Sequence, residues 1–270
     1  NFTDLVYDPH EANKERLKTL AQTCKQTGIT YDLNKIYKKA TFHLLYEDTH
    51  KFVFCLLPKV GTTTWKTVLE TGLGKTLLRL SYIPQPVGLI KLHKYVKLVI
   101  ARDPLERLLS SYYSKIHFSA HPDIRHIFEH KYGEKIMAFR EGFIWETGMT
   151  DLNVTFEEFA KFVIACGAGA RINSLNHHWI PQYILSYVCL HQYDFIGHFD
   201  KLAYDAPYAI QLMGLTDVAQ FPPIHHSQGN THFSEYSRLP LPLVKQLVEY
   251  YRLDYQFFSF DTPKLDHEAE

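Results

Sequence analysis

Apolar and polar positions along the chain sort into two repeated units. Phe52-Val-Phe-Cys-Leu-Leu57 is apolar without alternation, the pattern of a strand buried on both faces. Pro58 ends it. Gly61 and three threonines then turn the chain, and residues 65–71 read as a helix that Gly72 and Gly74 stop. The second unit begins with Lys97-Leu-Val-Ile-Ala-Arg102, a short apolar strand ending in arginine. Asp103 is placed to N-cap a helix, Pro104 suits its first position, and Glu106 completes a capping box. Leu105, Leu108, Leu109 and Tyr112 recur at helical spacing and predict a core-facing stripe.

The rest of the pattern is consistent with these units. Residues 9–26 read as a surface helix, with Glu11, Lys14, Glu15, Arg16 and Lys18 beside Leu17 and Leu20. Residues 41–46 read as a strand leading into the central one. Residues 123–140 read as a helix with one break, at Gly133. Thr155-Phe-Glu-Glu158 is another capping box, opening a helix to about Cys166. Tyr193-Asp-Phe-Ile-Gly197 reads as a short strand, and residues 202–213 and 241–252 as closing helices. This order predicts an α/β fold, a central, mostly parallel sheet flanked by helices. No repeat, low-complexity tract or linker divides it, so residues 1–270 are expected to form a single domain.

Composition narrows the partners. A hydrophobic fraction of 46% and an aromatic fraction of 14% suit a globular core. A formal net charge of +0 gives no support to nucleic-acid coating or membrane-surface binding. An acidic ligand must be met by local clusters, such as Lys35, Lys38 and Lys39, or Lys91, Lys94 and Lys97. No apolar run approaches the roughly 18–20 residues of a membrane span. With no Met at position 1, the chain is expected to be a trimmed piece of a longer protein.

The cysteines, Cys24, Cys55, Cys166 and Cys189, form no C-x-x-C pair, which argues against zinc ribbons and thioredoxin chemistry. One or two disulfides remain open, and Cys55 in its apolar strand reads as a buried thiol. Two N-glycosylation sequons occur, at Asn1-Phe-Thr3 and Asn153-Val-Thr155.

The chemistry lies in the two turns. Pro58-Lys-Val-Gly-Thr-Thr-Thr-Trp-Lys66 brings backbone N–H groups, hydroxyls and a lysine to a helix N-terminus, which makes an anion cradle. A Walker A loop would read G-x-x-x-x-G-K-[ST]. Here the lysine precedes the glycine, which argues against a nucleotide kinase. Arg102 stands at the C-terminal end of its strand, the edge where open α/β sheets bind ligands.

Together, this loop and the unit from Arg102 to Ser110 resemble the two nucleotide-binding motifs of sulfotransferases. Those enzymes use 3′-phosphoadenosine 5′-phosphosulfate (PAPS). The spacing from Lys59 to Trp65 is similar to the P-K-V-A-C-[ST]-N-W-K loop of Golgi carbohydrate sulfotransferases of the HNK-1 and chondroitin 4-O type. The resemblance continues through Lys97–Tyr112, His178-Trp-Ile-Pro-Gln182, Cys189, Tyr193–Gly197 and the closing segment Tyr236–Phe258. Gly61, Thr62 and Thr64 replace the family's usual Ala, Cys and Asn, and Asp200 its usual Glu. The loop stays small and rich in donors.

The resemblance implies a P-loop-like sulfotransferase fold in a single lumenal domain, with residues 1–40 a helical segment near a stem. It also implies the residue roles. Lys59 is expected to neutralise charge on the leaving phosphate. Val60, Gly61, Thr62, Thr63, Thr64 and Trp65 are expected to line the 5′-phosphosulfate, with Trp65 either stacking on adenine or filling the core. Arg102 and Ser110 are expected to hold the 3′-phosphate. Candidates for the general base are His178, within the matched motif, and His93, in Ile90-Lys-Leu-His93. Glu47, Asp48 and Glu106 are carboxylate alternatives, and His50 falls at the wrong edge of the sheet. His225-His226 is expected to help bind acceptor or cofactor. His126-Ile-Phe-Glu-His130 matches the H-x-x-E-H zinc pattern but has no compelling third ligand downstream.

The expected protein is therefore a type II Golgi membrane enzyme whose tail, span and part of the stem lie outside this chain. It would transfer sulfate from PAPS to a glycan, first O4 of N-acetylgalactosamine in chondroitin- or dermatan-like chains, next O3 of a terminal glucuronic acid. A non-catalytic glycan-binding member of the fold is the alternative. No metal is required, because lysine and arginine supply the positive charge.

Overall fold

A computed structural model describes residues 7–167, 176–223 and 234–265; Asn1 and the His225-His226 pair lie outside them. Its five strands are β1 (Leu44–Glu47), β2 (Phe52–Cys55), β3 (Leu78–Arg79), β4 (Val96–Ala101) and β5 (Phe195–His198). They form one sheet in the order β3-β1-β2-β4-β5. β2, β4 and β5 pair in parallel, whereas β1 is antiparallel to both β2 and β3. Four strands thus run one way and only β1 runs against them, the expected mostly parallel sheet. The continuous apolar run explains the placement of β2: all four of its residues are fully buried between helices.

The chain divides into two compact units. The first comprises Asn1–Asp103, Pro181–His225 and Leu253–Phe260; the second comprises Pro104–Ile180, His226–Arg252 and Asp261–Glu270. The first unit carries the sheet. Its helices include α1 (Pro9–Thr27), α2 (Leu33–Ala40), α3 (Thr62–Leu73) and α4 (Gln85–Lys94).

α1 is more than the expected surface helix, because it seals an edge of the sheet. β5 is an edge strand, whose unpaired backbone groups need partners. Asn13 supplies two of them. Its Nδ2 donates to Asp194 O at 3.1 Å, and its Oδ1 accepts from Ile196 N at 2.9 Å. Arg16 donates to Ile196 O at 3.0 Å and pairs with the buried Asp205 at 2.8 Å. A disulfide, Cys24–Cys189, fastens the other end of α1. It spans 165 residues of sequence, and the chain-entropy model gives a closure of that size a value of about 5 kcal/mol. Cys55 is a buried free thiol, pushed up to about 12 by its burial.

The second unit contains α5 (Pro104–Lys115), α6 (Pro122–Met137), α7 (Phe156–Gly167) and α11 (Leu241–Tyr250). In the first unit, α8 (Gln182–Ser186) and α9 (Val188–His191) precede β5, α10 (Leu202–Leu212) follows it, and α12 (Arg252–Phe258) falls there from Leu253 onward. The core of the second unit is aromatic: Trp179 is fully buried against Phe128, Tyr132, Phe159 and Phe162. Thr155 and Glu158 form the expected capping box on α7, Thr155 N to Glu158 Oε2 at 2.8 Å and Glu158 N to Thr155 Oγ1 at 3.2 Å. The expected break at Gly133 is absent. α6 runs through it, and a Cβ there would lie 2.6 Å from Leu152 Cδ1. The glycine permits close packing rather than ending the helix.

Two buried histidines make the fold sensitive to acid. Burial depresses His191 to about 4, against the hydrogen bond it makes to Ala40 O. Burial and the nearby Arg16 depress His198 likewise to about 4. Both lie below the ordinary 6.5, so the folded form holds them neutral. As pH falls below about 6.5 the unfolded chain takes up protons that the folded chain refuses until about 4, and stability drops by up to roughly 3 kcal/mol per group. Thermal unfolding followed by circular dichroism from pH 7 to pH 4 should show a falling Tm, with a shallower fall for His191→Gln. Parallel curves for the two proteins would contradict this.

Candidate active site

Parallel pairing brings three strand ends to one edge. In register, Cys55 of β2 lies beside Val99 of β4, and Ala101 of β4 beside His198 of β5. The chain therefore leaves this edge at the 58–61 loop, at Arg102 and at Phe199.

The loop after β2 is pinned by Leu57 and Val60, both fully buried. The Thr62 hydroxyl closes it by donating to Leu57 O at 2.6 Å. Gly61 adopts φ +79°, and a Cβ there would meet the Phe199 ring at 3.4 Å, so both conformation and space favour glycine. Lys59 also lies in the left-handed region, at φ +74°, a conformation costing a non-glycine residue on the order of 1 kcal/mol. Strain of this kind concentrates at functional sites. α3 begins at Thr62 with no side-chain cap. The N–H groups of Thr62, Thr63 and Thr64 therefore lack intrahelical acceptors, while the Trp65 N–H is taken by Gly61 O at 2.9 Å.

Arg102 meets this loop. Its Nη1 donates to Lys59 O at 3.3 Å, and its guanidinium lies 4.4 Å from the centre of the Phe199 ring. The two residues paired from sequence are thus adjacent. Gln182, fully buried, holds the Arg102 backbone at both ends. Its Oε1 accepts from Arg102 N at 3.0 Å, and its Nε2 donates to Arg102 O at 2.7 Å. Asp254, also fully buried, accepts from the N–H groups of Gln182 at 2.7 Å and Tyr183 at 2.8 Å. Sequence reasoning missed Gln182 and Phe199 as site residues. Both lie in or beside matched motifs, but their roles depend on partners 80 or more positions away.

Ser110 and His178 belong to the second unit. Ser110 is half-exposed on α5. Its neighbours Arg107 and Ser111 hold the 176–180 turn: Arg107 donates to Ile180 O at 2.8 Å and His177 O at 2.7 Å, and Ser111 to His178 O at 2.7 Å. The His178 Nδ1 donates to Asn176 Oδ1, which places the basic lone pair of a neutral ring on Nε2.

Several expected residues fall elsewhere. Trp65 is fully buried against Phe54 and Phe221, so its ring fills the core and offers no face to adenine. His93 sits exposed in the last turn of α4, before β4 begins. The six residues of β4 alone put about 20 Å between that edge and Arg102, which removes His93 as a base for this site. Glu47, Asp48 and His50 lie at the same wrong edge. Burial pushes Glu47 up, but hydrogen bonds from Lys75 and from the N–H groups of His50 and Thr49 outweigh it and hold its carboxyl well below the usual range. Asp48 pairs with Lys91, and Lys97 with Asp194, so two of the clustered lysines are engaged in ion pairs there.

An α/β sheet whose strand ends carry a lysine loop at an uncapped helix start and an arginine offers the chemistry of an anion site. The sequence pattern of the sulfotransferase family matches residues 42–261, and the chain belongs to that family of enzymes. It is 28% identical to carbohydrate sulfotransferase 14 of Danio rerio, over 92% of this chain and 71% of that protein. Carbohydrate sulfotransferase 11 of Danio rerio is 27% identical, over 94% and 76%. Carbohydrate sulfotransferase 9 of Homo sapiens is 28% identical, over 94% and 61%. No solved structure matches. These relatives agree with the resemblance read from the two loops.

The Gln182 clamp is testable. Gln182→Ala leaves two backbone groups of Arg102 without partners, at a cost of about 1–3 kcal/mol. Calorimetry should show PAP, the nucleotide product of PAPS, binding roughly tenfold more weakly. An unchanged Kd would show that the clamp does not set Arg102.

Proposed function

We propose that this chain is a carbohydrate sulfotransferase that moves a sulfuryl group from PAPS to a glycan hydroxyl. The observation that carries the reading is the contact of Arg102 Nη1 with Lys59 O. It brings the two motif loops together at the strand edge where such folds bind ligands. PAPS supplies the activated sulfuryl group. The residues present suit its phosphates: uncapped N–H groups at Thr62–Thr64, a lysine beside them, and a guanidinium stacked on Phe199.

Each residue then has a task. Lys59 neutralises the charge that builds on the departing phosphate oxygen. The Gly61–Thr64 backbone binds the 5′-phosphate. Arg102 holds the 3′-phosphate, where a planar guanidinium suits two anion oxygens; the motif resemblance assigns Ser110 to the same phosphate. His178, its Nδ1 proton fixed by Asn176, takes the proton of the attacking hydroxyl through Nε2.

The relatives' names support a glycan acceptor. O4 of N-acetylgalactosamine in chondroitin- or dermatan-like chains is the first choice, from the loop resemblance, and O3 of glucuronic acid the second. The Cys24–Cys189 bridge supports an oxidising compartment, and with the resemblance it favours the Golgi lumen and a single-pass type II protein. Among the described residues, no helix is long and apolar enough to cross a membrane.

Transfer from labelled PAPS to a panel of desulfated glycosaminoglycans tests the reading. Wild-type protein should label at least one of them. Lys59→Ala should lower kcat by about 100-fold or more, and Arg102→Ala should raise the KM for PAPS by roughly 10–100-fold. Full activity in either variant refutes its assigned role. Failure to label any glycan, with no binding of PAP, overturns the whole reading.

A further inference from the structure

A cavity of ≈ 360 Å3 in the second unit is lined by Phe118, Arg125, Asp151 and Asn153, a size within the range of small-ligand pockets. Its walls are held in place. Arg125 donates to Phe118 O at 2.7 Å and pairs with the Asp151 carboxylate. Glu129, 1% exposed, accepts from the N–H groups of Asp151 and Leu152, each at 3.0 Å. Arg140 donates to Leu152 O at 3.3 Å and to Asn153 O at 2.9 Å. Asp151 and Asn153 both adopt left-handed backbone, at φ +54° and +46°, which Asp and Asn tolerate better than most residues.

The 151–153 segment is thus fixed on both sides, and Asn153 remains exposed. Another wall is Phe118, 63% exposed, its ring 4.0 Å from that of His117. His126, Glu129 and Asp151 bring ligand atoms within 4.8 Å of one another. Both Glu129 oxygens are used by backbone N–H groups and Asp151 is paired with Arg125, so this cluster serves to fix the segment.

Asn153 is also the first residue of the sequon Asn153-Val-Thr155. A sugar attached to it starts at the mouth of a cavity with an apolar ring on one side and charged hydrogen-bonding groups on the other. We propose that Asn153 carries an N-linked glycan whose first N-acetylglucosamine packs over the Phe118 ring in this cavity. The sugar's C–H face covers an exposed apolar ring. Its hydroxyl and acetamide groups meet Arg125 and Asp151. The inference rests on the lumenal placement in the proposed function, because attachment requires the secretory route.

The test uses protein secreted from a eukaryotic host in an Asn1→Gln background. Glycopeptide mass reports occupancy at Asn153. The folded protein is then compared in three forms: intact, trimmed by endoglycosidase to a single N-acetylglucosamine, and stripped by peptide N-glycosidase, which leaves Asn153→Asp. Intact and trimmed forms should share one Tm, and the stripped form should melt lower by about 3 °C. In Phe118→Ala the three forms should melt together. An empty sequon, equal Tm values in all three wild-type forms, or the same gap in Phe118→Ala would each overturn the proposal. So would an unchanged Tm gap accompanied by a raised KM for glycan in Phe118→Ala, which assigns the cavity to the acceptor. Loss of sulfate transfer counts against the proposed function and leaves these melting data standing.

Discussion

The site depends on the parallel register of β2, β4 and β5. Cys55 pairs with Val99 and Ala101 with His198, so three strands about 4.8 Å apart end at one edge. That register is held by burial, since β2 and the last five residues of β4 are all buried. From it follow the loop, the arginine and the aromatic ring beneath the arginine. Local interactions only refine the arrangement: Gln182 fixes the Arg102 backbone, Phe199 supports its guanidinium, and Lys59 O receives one of its N–H groups.

Two cations at one edge also make a local field in a chain with net charge +0. The uncapped start of α3 adds partial positive charge to that edge. The left-handed Lys59 adds backbone strain there. An uncapped helix start beside a lysine loop suits the anionic ligand proposed for this edge. At the opposite edge Lys91 pairs with Asp48 and Lys97 with Asp194.

Much of this was legible from sequence because it is local. Non-alternating apolar runs located β2 and β4, and the glycine–threonine turn and Arg102-Asp-Pro104 located the loops. What was missed lies between residues far apart in the chain. Asn13 sealing β5 reads as one more polar residue on a surface helix. Gln182 stands in a matched motif, but its work is done on a backbone 80 positions away. Gly133 resembles a helix breaker until Leu152 is seen against it. His93 sits nine positions before Arg102, and only strand direction reveals that those positions cross the sheet. Trp65 could face ligand or core from sequence, and the rings of Phe54 and Phe221 decide for the core.

The proposed function requires the Lys59 loop and Arg102 to form one site for a nucleotide carrying a 3′-phosphate. The most direct measurement is thermal unfolding with PAP and with ATP, on wild-type protein and on Arg102→Ala. At a hundredfold excess over Kd, PAP should raise the wild-type Tm by about 5 °C or more. ATP should raise it far less, and Arg102→Ala should lose most of the PAP shift. Equal shifts by the two nucleotides, or a PAP shift that survives Arg102→Ala, would contradict this assignment.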